Sequence, residues 1–122
     1  MTRKEYLQLA GHAGKWLLRP TPGLWLIGVD RVPSASHAIY IVFDRQGEVS
    51  YVGSTARPGN PEALGQRLRE HLRARAKAFT WHAAAAILLR KEVPRSQVLK
   101  IESLVAFDLK PSTGRRPRHW RE

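Results

Sequence analysis

The clearest strand signal lies between positions 38 and 52. Residues 38–43 (AIYIVF) are β-branched and aromatic, 44–48 supply Asp and Gly turn residues, and 49–52 (VSYV) resume the strand character, which together predict a hairpin. Tyr40 and Tyr51 fall on its two strands and lie close together if the register puts both on one face. A different period follows. Leu64, Leu68 and Leu72 recur every four residues, predicting a helix from about Pro61 to Lys77 with a buried leucine stripe and with Arg67 and His71 on a neighbouring face. Asn60 is a suitable N-cap for it, and Pro61 is preorganised for a first turn.

The remaining segments carry weaker signals. Residues 1–36 read as a short helix (Lys4 to Leu9), a stretch interrupted by Pro and Gly, and a short strand at Leu24 to Val29; no chemistry is assigned to this N-terminal extension. Residues 80–90 (TWHAAAAILLR) are ambiguous, because the alanines favour helix while the length and flanks suit a buried strand. Pro94 breaks the chain, Ser96 then caps a second helix to about Leu109, and Pro111 stops it. A basic tail, 115–122, ends the sequence.

Charge changes the picture. The 122 residues make one domain's worth of chain, and 21 Lys and Arg against 10 Asp and Glu leave a formal charge of +11. A field of that sign favours polyanions. Residues 64–77 and 110–122 each hold five basic residues against one acid, so eight of the eleven net charges lie in these two segments. Arg dominates both, and guanidinium matches phosphate oxygens bidentately. Arg69, Arg73, Arg75, Lys77, Arg115, Arg116 and Arg118 are therefore the candidate nucleic-acid contacts. DNA is the expected partner, and the same charge would also accept RNA.

Several classes are excluded. The absence of cysteine rules out disulfides, thiolate zinc sites and a Cys nucleophile. Residues 16–29 are apolar but broken by Arg19, Pro20, Pro22 and Gly23 far short of a bilayer span, so a soluble cytoplasmic protein with no membrane partner is expected. A helix-turn-helix is excluded because the stretch between the two helices is far too long for its turn. No zinc-finger spacing, Walker loop or dinucleotide fingerprint is present.

Glu102 stands out. Its helical neighbours at three and four residues are Val98, Leu99, Val105 and Ala106, so its carboxylate projects from the apolar face. An unpaired carboxylate there costs several kcal/mol, and a basic partner or a bound cation would have to compensate. A helix rotated to leave Glu102 at its edge is the alternative.

AIY (38–40), YVG (51–53), QRLREH with Arg67 and His71, and IES with Glu102 occur in the order of the motifs of the GIY-YIG nuclease superfamily, which residues 38 to about 114 resemble. The resemblance implies an α+β fold, a three-stranded antiparallel sheet flanked by helices over residues 37–114, and it turns 80–90 into the third strand. It also implies a metal-dependent DNA endonuclease. In that reading Glu102 anchors Mg²⁺ or Mn²⁺, Tyr40 orients or deprotonates the attacking water, Tyr51 supports it or holds the phosphate, and Arg67 stabilises the charge on the phosphorane. His71 relays a proton or contacts phosphate. Tyr40, Tyr51, Arg67 and Glu102 are then expected on one concave basic face; a Glu102 on the opposite side of the sheet from the tyrosines would end the nuclease reading. Two departures stand in the sequence. Ala38 replaces the motif's first Gly, and Ser112, Thr113 and Gly114 follow Pro111 where many members carry Asn. A catalytically inactive nucleic-acid-binding module of the same fold is the second reading.

Overall fold

The computed structural model describes residues 1–21, 23–28, 30–73 and 80–110. In chain order its elements are α1 (Arg3–Ala10), a 3₁₀ segment (Gly11–Trp16), β1 (Leu17–Pro20), β2 (Trp25–Leu26), β3 (His37–Phe43), β4 (Val49–Ala56), α2 (Ala63–Leu72), β5 (Ala83–Leu89) and α3 (Arg95–Leu109). The fold is α+β. All strand pairings are antiparallel, with β3 between β4 and β5 and with β1 and β2 both on the far edge of β5.

The sheet therefore has five strands, two more than the three expected, and both additions come from the N-terminal segment. The reason lies in β5. Its outer edge would otherwise present a row of unpaired backbone groups. Leu17–Pro20 pair with its Ile87–Leu89 half and Trp25–Leu26 with Ala83–Ala84. Between these pairings, the Tyr6 hydroxyl donates to the Ala86 carbonyl, and the Thr21 hydroxyl donates to the same oxygen at 3.2 Å. Side chains thus take over where the backbone ladder is interrupted. A capping box between Thr2 and Glu5 starts α1, and Tyr6, Leu9 and Ala10 enter the core.

The ambiguity of 80–90 resolves to a strand buried on both faces. The alanines serve packing rather than helix propensity. Ala84 and Ala86 lie in the cluster of Trp25 and Trp81, and Ala85 lies in that of Tyr6 and Phe43, so small side chains make room for rings on both sides.

The sheet separates two layers. On one face α1, the 3₁₀ segment and α3 pack on Ile39, Ile41, Val52, Ile87 and Leu89. On the other, Leu64 and Leu68 of α2 pack with Ala38, Tyr40, Val42 and Tyr51. Helix boundaries differ in detail from expectation. Asn60 Oδ1 accepts from the Glu62 amide and shapes the turn before α2, which begins at Ala63 rather than Pro61. Pro94, not Ser96, occupies the N-cap of α3; no side chain caps the helix, and the Pro94 carbonyl accepts from the Gln97 and Val98 amides. No helix among the described residues is long and apolar enough to cross a membrane.

Candidate active site

The hairpin register sets the first part of the site. Tyr40 lies opposite Gly53 and Tyr51 opposite Val42, so the two tyrosines are diagonal neighbours on the α2 face, with ring centroids 6.2 Å apart. Gly53 has a specific job. A methyl group there would fall 2.5 Å from Cζ and Oη of Tyr40, so the ring lies directly over the glycine backbone. Tyr40 is fully buried and Tyr51 is 5% exposed.

Helix α2 supplies the next two groups. His71 is 7% exposed, and its Nε2 shares a 2.8 Å hydrogen bond with the Tyr40 hydroxyl. Its ring also packs 5.1 Å from Tyr51 and 5.2 Å from Trp81. One turn earlier, Arg67 stands at the edge of the layer and contacts Glu70 at 3.3 Å. Glu70 in turn forms a bidentate pair with Arg57, at 2.9 and 2.8 Å. That pair, more than Arg67, holds the Glu70 carboxyl down at about 2.

Glu102 reaches the same place from the other layer. Helix α3 packs on the face of the sheet opposite the tyrosines, but the Glu102 side chain lines the same cleft as they do, so the helix and not the carboxylate lies on the far side. The carboxylate is half-buried at the border of the apolar face because Leu99, one of its expected apolar neighbours, is 47% exposed. From there it meets the tyrosines around the β4 edge, where Ser54 Oγ donates to Glu102 Oε1 at 2.5 Å. A polar cleft of about 190 Å³ straddles that edge, lined by Tyr40, Tyr51, Gly53, Ser54, Arg67, Arg95, Leu99 and Glu102. Larger and more apolar cavities lie elsewhere, but they gather none of these groups.

The electrostatics of Tyr40 run against easy ionisation. Burial raises its pKa well above that of a free phenol, the neighbouring Tyr51 and Glu102 raise it further, and Arg67 opposes both through its charge and a hydrogen bond. Tyr40 is therefore a neutral phenol at neutral pH. Its hydroxyl shares a hydrogen bond with the His71 ring, which accepts the phenolic proton in the tautomer whose Nε2 carries none.

Among the described residues no group of three or more His, Cys, Asp or Glu side chains is arranged to hold a metal ion. A dedicated all-protein cage is thus absent from these residues. Mg²⁺, however, is commonly held by one or two carboxylates together with waters and substrate phosphates, and one glutamate in a polar cleft fits that mode.

Of the residues singled out in the sequence, Tyr40, Tyr51, Arg67 and Glu102 line the cleft, and His71 stands directly behind Tyr40. Arg69 and Arg73 are exposed on and just after α2. Arg75, Lys77, Arg115, Arg116 and Arg118 lie outside the described residues, as do Ser112 and Thr113. Sequence reasoning missed Arg95, Ser54, Arg57, Glu70 and Trp81. Arg95 had a findable signal, since it is seven residues before Glu102 and hence on the same helical face. Comparison with protein-family models, with curated proteins and with solved structures finds no match for this chain.

Proposed function

We propose that the protein is a metal-dependent endonuclease that hydrolyses phosphodiester bonds of DNA in the cleft at the β4 edge. The observation that carries the reading is convergence: two tyrosines, an arginine and a glutamate spread from position 40 to position 102 line one polar cavity. The resemblance of their motifs to the GIY-YIG nucleases and the charge of +11 point the same way.

In this reading Glu102 holds the divalent cation, oriented by the Ser54 hydroxyl; when bound, the ion polarises the phosphate and lowers the pKa of water. Tyr40 orients the attacking water and accepts its proton as the phenolic proton passes to His71, so the phenol never has to ionise alone. The water oxygen bonds to phosphorus, one ester P–O bond breaks, and the leaving oxygen is protonated from solvent. Arg67 faces the charge that builds on the phosphoryl oxygens, and its contact with Glu70 limits its side-chain freedom. Tyr51 packs beside Tyr40 and lines the phosphate site.

The test is cleavage of supercoiled plasmid and of duplex, single-stranded, branched and flapped DNA with Mg²⁺ or Mn²⁺. The wild-type protein is expected to nick at least one substrate, and Glu102→Gln to abolish cleavage while keeping or increasing DNA affinity, since an acidic group leaves a phosphate-binding face. Tight binding without cleavage of any substrate would refute the enzyme and support the inactive binding module.

A further inference from the structure

Arg95, Leu99 and Glu102 occupy one face of α3 at spacings of four and three residues, and all three line the cleft. Their chemistry alternates. Glu102 is the acid at one end, Leu99 is an apolar side chain 47% exposed, and Arg95 is an exposed guanidinium at the other end. Leu104 and Phe107 of the same helix are comparably exposed, but of the three only Leu99 lines the cleft. The arginines of the site also differ. Arg57 and Arg67 are both engaged by Glu70, whereas Arg95 makes no ion pair or hydrogen bond among the described residues. A cleft that places an uncompensated guanidinium beyond an apolar side chain matches the alternation of phosphate and deoxyribose along a nucleic-acid strand.

Resting on the nuclease reading, we propose that Arg95 and Leu99 form a second subsite that takes the nucleotide adjoining the scissile phosphate, with Arg95 binding that nucleotide's backbone phosphate and Leu99 packing on its sugar. Arg67 and Arg95 then have separate tasks. The first acts on the reacting phosphate and the second sets where the strand lies. Arg95 is thus a positioning residue, and because phosphate contacts carry no sequence information, it fixes register rather than base preference.

The test separates affinity from chemistry. In a Glu102→Gln background, which does not turn over, binding of a duplex oligonucleotide is measured by fluorescence anisotropy across a salt series, with and without Arg95→Gln and Arg95→Lys. Losing one phosphate contact is expected to reduce the slope of log K against log salt by about 0.9, while the lysine keeps it. In the Glu102 protein, Arg95→Gln is expected to raise KM by about tenfold, as loss of one charge-assisted hydrogen bond implies, with kcat holding. Leu99→Ala is expected to raise KM with the slope unchanged. An unchanged slope in Arg95→Gln, or a fall in kcat at constant KM, overturns the assignment. Failure of the wild-type protein to cut any DNA overturns the nuclease reading instead, and the salt slope, measured without turnover, still decides whether Arg95 contacts phosphate.

Discussion

Replacing Gly53 with alanine adds a single methyl group at the point where β4 passes under the Tyr40 ring. That methyl would lie 2.5 Å from Cζ and Oη and 2.7 Å from Cε2 of Tyr40. Carbon atoms pack at about 3.5–4.0 Å, so ring and strand have to separate by about 1 Å. Tyr40 has little room to give way, being fully buried between Tyr51 and His71. Overpacking of this kind costs about 1–3 kcal/mol, against which the loss of glycine's freedom in the unfolded chain returns only about 0.4–1 kcal/mol. Net destabilisation is expected. In the proposed nuclease reading the larger effect falls on cleavage, because about 1 Å of misplacement at a group that orients the attacking water costs on the order of a hundredfold in rate. Urea denaturation and single-turnover cleavage of Gly53→Ala measure both. A double-mutant cycle then isolates the contact, since with Tyr40→Ala already in place the same substitution should be neutral or slightly stabilising. An equal cost in both backgrounds would show that the damage does not pass through the Tyr40 ring.

Two further outcomes follow from the hydrogen bonds around the site. Tyr40→Phe keeps the ring and removes the hydrogen bond to His71, which should cost about 0.5–1.5 kcal/mol in a urea melt and, in the proposed reading, reduce cleavage strongly; unaltered cleavage would leave Tyr40 a packing residue. Glu70 is held at about 2, below its ordinary 4.5, so its ion pairs add stability that is fully present above pH 4.5 and lost as pH falls toward 2. The melting temperature of the wild-type protein should therefore drop more steeply across that window than that of Glu70→Gln, by a small amount because solvent screens the pair; parallel curves would contradict the assignment.

Much of the site was legible because its residues sit on elements with strong periodic signals. The hairpin was marked by β-branched residues around an Asp and Gly turn, and the leucine stripe fixed which side of α2 carries Arg67 and His71. The residues alone left open what tertiary context decides. Ala83–Ala86 favour helix in isolation, and only the rings packed above and below explain why they form a strand. Residues 17–20 (LLRP) neither alternate nor avoid proline, yet they pair as β1 because β5 offers an unfilled edge. Four apolar neighbours allowed either a buried Glu102 or one at the edge of the apolar face, and the exposed Leu99 decides for the edge. Arg57 and Glu70 are 13 residues apart on different elements, a separation that no periodicity connects. The convergence of the four principal site residues was expected, but the route by which Glu102 arrives, around a sheet edge from the opposite layer, was not.

That route has a mechanical consequence. The carboxylate and the arginine are mounted on separate slabs with the β-sheet as the spacer between them, so the width of the cleft is set by how thickly the side chains are stacked on either side. Val52 under α3 and Leu64 and Leu68 under α2 belong to this stacking, although none of them touches the cavity. A methylene added or removed at any of them shifts one jaw relative to the other, in the way that a shim resets a calliper.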